Sequence, residues 1–241
     1  MSFYRIPLST ANTADATSGN TVVTSNTDVD SASESIDSWA HATYRAAKYF
    51  ISVDNDSKTE VTAIEALVIH DGSDADITYS SVNTGSNDLL TLTAAISGSN
   101  VVVSAAGLGT NLNLTIHKIL LKDSMTAAEN GNQKSIGAVT VSSTATAIDT
   151  MDLDTANGAV YYVVGKNATE GHYSINEVFA AATPGLAAVT NGPSLSTKGT
   201  TQLEFTAAFD TSSENAYELF ASSTSGSSTV VNAYRINCLA G

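Results

Sequence analysis

Ala46-Ala47-Lys48-Tyr49-Phe50-Ile51 and Gly158-Ala159-Val160-Tyr161-Tyr162-Val163 read as two versions of one strand, 112 positions apart. The same offset places Ile36-Asp37 on Ile148-Asp149 and Glu65 on Glu177. Further along, Leu90-Thr91-Leu92-Thr93-Ala94-Ala95-Ile96 falls on Leu203-Glu204-Phe205-Thr206-Ala207-Ala208-Phe209 at an offset of 113, and Lys118-Ile119 on Arg235-Ile236 at 117. The offset grows only across turn-rich segments, where chains tolerate insertions. An internal repeat fixes the architecture before any single element is assigned. This one divides the chain into an N-terminal arm (1–28), a first copy (29–121), a linker (122–140) and a second copy (141–241).

Within the first copy, apolar residues alternate with polar ones over 48–53, 60–70, 75–82, 89–97, 101–105 and 112–121, the period of half-buried strands. Turn clusters separate them: Asp54-Asn55-Asp56-Ser57, Asp71-Gly72-Ser73-Asp74 and Gly98-Ser99-Asn100. Their residues accept positive φ or bond their own backbone. The gaps leave no room for crossover helices, so the pattern predicts an all-β chain of two tandem antiparallel sandwiches, jelly-roll-like, arisen by duplication. A short helix over 38–47, capped by Asp37, is the one helical alternative. In the arm, residues 10–27 are nearly all Ser, Thr, Asn, Ala and Asp, too polar to form a core. Phe3-Tyr4-Arg5-Ile6 nevertheless echoes Ala233-Tyr234-Arg235-Ile236, and is expected to be an assembly strand pairing in its own fold or in a neighbour's sheet.

Of 241 residues, 14% are charged, with 24 acidic against 10 basic and a net charge of −14. Ordinary globular domains carry roughly 25% charged residues. Here 31 Ser and 31 Thr fill the positions that Lys and Glu usually take, a surface suited to strands and turns. The scattered basic residues and acidic balance argue against nucleic acid as a partner. No run reaches the ~18 apolar residues of a membrane-spanning helix, and residues 1–10 lack the apolar core of a secretion signal, so a soluble protein made in a cytoplasm is expected. Cys238 is alone, which excludes an internal disulfide, and no Cys/His cluster has zinc-ligand spacing.

The residues offer little chemistry. His70-Asp71 is the nearest approach to an acid/base pair, but a nucleophilic site also needs an oriented Ser, and no G-x-S-x-G elbow is present. The expectation is a strand end followed by a turn, and no enzymatic activity. Acidic turns are weak calcium candidates, Asp54, Asp56 and Glu60 first, then Asp71, Asp74 and Asp76, and Asp149, Asp152 and Asp154. None completes a twelve-residue calcium loop, so no metal or cofactor is expected. Gly107-Leu108-Gly109-Thr110 is too short for a phosphate loop and reads as a hairpin turn. Trp39 with Tyr44 suggests either a core anchor or a sugar-stacking platform; Met151 at the matching place in the second copy favours the core. The polar residues kept in both copies are Asp37/Asp149, Tyr49/Tyr161, Glu65/Glu177 and Lys118/Arg235, whereas no histidine is kept. That choice of what to keep points to scaffold.

Ser35-Ile36-Asp37-Ser38, Ala42-Thr43-Tyr44-Arg45-Ala46-Ala47-Lys48-Tyr49, Glu60-Val61 and Glu65-Ala66-Leu67-Val68-Ile69-His70-Asp71-Gly72 together resemble a repeat of virion structural proteins from tailed bacteriophages, especially marine cyanobacterial ones. The likeness is strong over 35–72 and weaker over 73–121. In the second copy Tyr44-Arg45 becomes Ala156-Asn157 and His70-Asp71-Gly72 becomes Ala182-Thr183-Pro184. The resemblance implies a β-rich, non-enzymatic building block of the virion, made in the host cytoplasm, with other capsid or tail subunits and its own copies as partners. Capsid decoration, cement or head attachment is the first expectation, and a tail, neck or fibre part the second. A carbohydrate-binding adhesin domain, whose partner is a host-surface glycan, is the alternative from another class.

Overall fold

The computed structural model describes residues 20–55, 59–85, 88–108, 111–130, 132–167, 169–198, 203–210 and 215–239. Those residues form strands and turns, with no helix among them. The first copy runs β1 (Asn20–Val29), β2 (Glu34–Ala40), β3 (Ala46–Asn55), β4 (Val61–His70), β5 (Ala75–Asn83), β6 (Leu90–Ser97), β7 (Asn100–Gly107) and β8 (Leu112–Leu121). A short β9 (Ala128–Asn130) intervenes. The second copy then runs β10 (Gln133–Val141), β11 (Thr146–Asp152), β12 (Ala156–Asn167), β13 (His172–Thr183), β14 (Leu186–Ser196), β15 (Leu203–Phe209), β16 (Ala216–Ser223) and β17 (Thr229–Leu239).

The two copies share one topology. A large antiparallel sheet has the order β1-β8-β3-β4-β5 in the first and β10-β17-β12-β13-β14 in the second, where β9 adds an outer strand beside β10. A small sheet has the order β2-β7-β6 in the first and β11-β16-β15 in the second. The β1-β8-β3 and β2-β7 neighbourhoods wind as in a jelly roll, while β3-β4-β5 is a simple meander. Two sandwiches by duplication is thus the architecture.

Side-chain alternation explains the layers. On β3, Ala47, Tyr49, Ile51 and Val53 point into the first sandwich, with Ile64, Ala66 and Val68 of β4 and Trp39, Val101 and Val103 from the small sheet. The intervening residues point the other way: Ala46, Leu67, Ile69, Ile119 and Leu121 meet Tyr162, Val164, Ile175, Tyr234 and Ile236 of the second copy. The large sheets therefore pack face to face, and each is buried on both sides. Four sheets stack in the order small, large, large, small. Every such buried Leu or Ile contributes about 1.5–3 kcal/mol relative to exposure, so this seam is a third core rather than a loose contact.

Several expectations change. The helix over 38–47 is absent: β2 pairs with β7, and a turn over 41–43 leads into β3. Asp37, instead of capping a helix, points into the first sandwich, where a lysine holds it. Residues 20–28, placed in the arm by the sequence, form most of β1 on the edge of the first large sheet, and 133–140, placed in the linker, form most of β10. β1, an edge strand, is held by main-chain bonds to one neighbour and needs no strong apolar alternation, which is why polar sequence conceals it. β7 and β8, on either side of the Gly107-Leu108-Gly109-Thr110 segment, lie in different sheets, so no hairpin joins them; Gly109 and Thr110 lie outside the described residues. Phe3, Tyr4, Arg5 and Ile6 lie outside the described residues.

Candidate functional site

Three of the four polar pairs shared by the two copies converge on the same place in each sandwich. In the first, Asp37 accepts hydrogen bonds from Lys118 Nζ at 2.6 and 2.7 Å and from the Tyr49 hydroxyl at 2.8 Å. Trp39 Nε1 in turn donates to Tyr49 Oη at 2.8 Å. Tyr49 is placed for this by its register, opposite Lys118 on β8. In the second, Asp149 accepts from Arg235 at 2.6 Å, from Tyr161 at 3.1 Å and from Lys134 at 2.7 Å. Burial and the adjacent aspartate push both tyrosines well above the ordinary phenol range, so both hydroxyls stay protonated and donate to the carboxylate. Each cluster ties a small sheet to a large one across the sandwich core.

His70 is similarly committed. Its Nε2 lies 2.7 Å from the carbonyl oxygen of Tyr44, which can only accept, so Nε2 carries the proton. Nδ1 then accepts from Arg45 Nη1 at 3.2 Å. Burial lowers the His70 pKa, reinforced by the Arg45 charge, and the ring is held as the neutral tautomer. Asp71 Oδ1 accepts the main-chain N–H groups of Ser73 and Asp74, and those two bonds hold its carboxyl below the ordinary range. The pair singled out from the sequence is thus a strand end and a turn.

Among the described residues, the other acidic candidates are held apart by separate hydrogen bonds. Asp54 accepts from Asn113 Nδ2 at 3.3 Å, and the main-chain N–H of Glu60 meets Asn55 Oδ1 at 3.5 Å; Asp56 lies outside the described residues. Asp152 caps the main chain at Asp154, which accepts from Asn215. No three His, Cys, Asp or Glu among the described residues are grouped to hold a metal ion. Trp39 is 5% exposed, so it does not offer a stacking face with Tyr44.

The arrangement that sequence reasoning missed is at the seam. Lys48, on β3 between core-facing Ala47 and Tyr49, points toward the second copy with a side chain 1% exposed. Its Nζ stands 2.7 Å from Glu177 Oε2 and 3.1 Å from Glu65 Oε2. Glu65 and Glu177 are counterparts in the repeat, so one ammonium serves the same residue of both copies. Glu177, itself 5% exposed, sits opposite a bulge in β14 where Gly192-Pro193 interrupts the ladder. A Cβ on Gly192 would lie 2.8 Å from Phe179 Cε2 and 3.3 Å from Glu177 Cβ, so a larger residue there would have to push these side chains aside. Proline belongs on such an edge, where its missing N–H is harmless. A cavity of about 150 Å³ opens beside the group, lined by Lys48, Glu65, Tyr79 and Pro193 among others. The available signal was a lysine inside an otherwise apolar strand.

A second polar bridge crosses the same seam. The Arg45 guanidinium lies 4.2 Å over the Tyr173 ring and 3.4 Å from Asp123, which also takes Lys166 at 3.3 Å. Asn232 of β17 accepts from Met125 N and donates to Asp123 O, anchoring the connection that follows β8.

No family model and no curated protein matches the chain. Among solved structures, the chain is similar to the crystal structure of PBSX exported protein XepA, at 12% identity over 98% of this chain and 99% of that one, with a TM-score of 0.26.

Proposed function

We propose that this chain is a non-enzymatic structural part of a tailed-phage virion, a capsid decoration, cement or head-attached protein. One observation carries this reading: three of the four polar pairs kept in both copies, Asp37/Asp149, Tyr49/Tyr161 and Lys118/Arg235, are consumed in bonds that hold sheets together. Such a chain keeps shape, not a reaction. The exterior supports it, because Ser and Thr lose little rotamer entropy when buried against neighbours. Net negative charge keeps free copies from associating indiscriminately before they reach a lattice. On a particle, many weak contacts sum through multivalency. The resemblance of 35–72 to phage virion repeats points the same way.

Cryo-electron microscopy of the purified particle tests this. Density for four stacked sheets over the capsid lattice is the expected result. Density at the tail, neck or fibres would move the protein to ring or stalk assembly. Absence from the particle, with binding on a glycan array, would replace the reading by the adhesin.

A further inference from the structure

We propose that Lys48 and Glu177 condense to an amide with loss of water, a covalent staple between the two facing sheets. The inference stands apart from any reading of the chain as a particle component, since it rests on the seam alone. Three groups needed for the reaction are already in place. The nucleophile, Lys48 Nζ, is 2.7 Å from the carboxyl it would attack, with the two side chains only 1% and 5% exposed. A second carboxylate, Glu65, lies 3.1 Å from the same nitrogen and is half open at 52% exposure. Tyr162 stands directly opposite Glu177 in the β12–β13 register, which puts its phenol beside that carboxyl.

The reactive form is the neutral pair: an ammonium and a carboxylate differ from an amine and a carboxylic acid by one proton moved along their shared hydrogen bond. Burial raises the Glu177 carboxyl, against the opposing pull of Lys48. In the neutral pair, Nζ adds to Cδ of Glu177 and the N–C bond forms. The Tyr162 hydroxyl donates to the oxygen on which negative charge develops. One Nζ proton passes to Glu65 and returns to the departing hydroxyl as the C–OH bond breaks. One amine and one acid become one amide and one water, with no change of oxidation state. The cavity beside Lys48 and Glu65 gives that water a way out.

The contrast with the first sandwich is informative. Lys118 is as close to Asp37, at 2.6 Å, but the described contacts of its Nζ include no second carboxylate. Its counterpart is Arg235, whose delocalised, permanently charged guanidinium does not acylate in this way. That pair is an ion pair in both copies. Lys48, whose counterpart is Val160, has no such equivalent.

Intact-mass spectrometry of the denatured full chain reads the outcome. The folded wild-type protein is expected to weigh one water less than its sequence, and fragmentation to yield a branched peptide joining the strands of Lys48 and Glu177. Lys48→Arg should carry its full sequence mass. Glu65→Gln should form the bond about 100-fold more slowly, the contribution of a positioned acid/base. Wild-type protein that is folded by circular dichroism yet has its full mass would overturn the proposal, whether or not the variants fold. A water loss that maps to other residues would overturn it equally.

Discussion

Lys118 Nζ sits 2.6 Å from Asp37 Oδ1 with both side chains 6% exposed, a fully internal ion pair whose spare lone pairs are taken by Tyr49. Removing one member leaves a buried charge without its partner. Asp37→Ala is expected to cost about 3–5 kcal/mol, whereas the paired replacement Asp37→Leu with Lys118→Met should come near or above wild-type stability. Urea unfolding midpoints of the three proteins check this. A loss below ~1 kcal/mol for Asp37→Ala would place the pair among weak surface bridges.

The tyrosines give an alkaline signature. Burial is the leading cause of the raised values of Tyr49, Tyr161, Tyr162, Tyr217 and Tyr234, with Tyr217 and Tyr234 pushed up to about 12. A folded chain that keeps protons which the unfolded chain releases near pH 10 loses stability as pH rises from there through the folded values. Phenolate absorbance from these five residues should therefore appear together with loss of the β-sheet circular dichroism. Phenolate from more than four of the nine tyrosines while that signal is intact would contradict the burial argument.

His70 acts at the other end of the scale. Its value is lowered from the ordinary 6.5, so in the folded chain it binds its proton less readily than in the unfolded one. The stabilisation is full above about 6.5 and is lost as pH falls from there through the folded value. His70→Gln, which keeps an amide donor toward Tyr44 O, should flatten the pH dependence of the melting temperature below 6.5. An unchanged slope would mean that other groups set the acid limit.

Gly98 closes the β6–β7 hairpin with φ +58° and open space where a Cβ would stand. The strain of substitution is therefore purely backbone. Gly98→Ala is expected to lose about 1–2 kcal/mol, and Gly98→Asn less, because Asn tolerates the left-handed region. Thermal unfolding of the two variants separates a conformational cost from a steric one; equal losses would speak against it.

The strands were legible where polar and apolar residues alternate. Alternation over 48–53, 75–82 and 89–97 lies inside β3, inside β5 and across β6, and the repeat correctly paired Asp37 with Asp149 and Lys118 with Arg235. What the repeat does not encode is how its copies meet. The signal was present as apolar runs without alternation, Leu67-Val68-Ile69, Ile119-Leu120-Leu121 and Val160-Tyr161-Tyr162-Val163-Val164, which mark strands buried on both faces. Read as half-buried strands, they conceal the seam. The 38–47 helix failed for a different reason: Asp37 is a good cap in isolation, but a buried lysine across the sandwich is the stronger partner.

Glu65 and Glu177, equivalent residues brought to one lysine, resemble the arrangement at the axis of a two-fold homodimer, here within one chain. In a true homodimer the two glutamates would repel, and any neutralising lysine would have to appear twice. A single chain releases that constraint: the first half carries Lys48 and the second carries Val160 in its place. A single lysine at the centre of an otherwise repeated interface is something two identical subunits cannot provide, and it commits the two halves to each other rather than to copies of themselves.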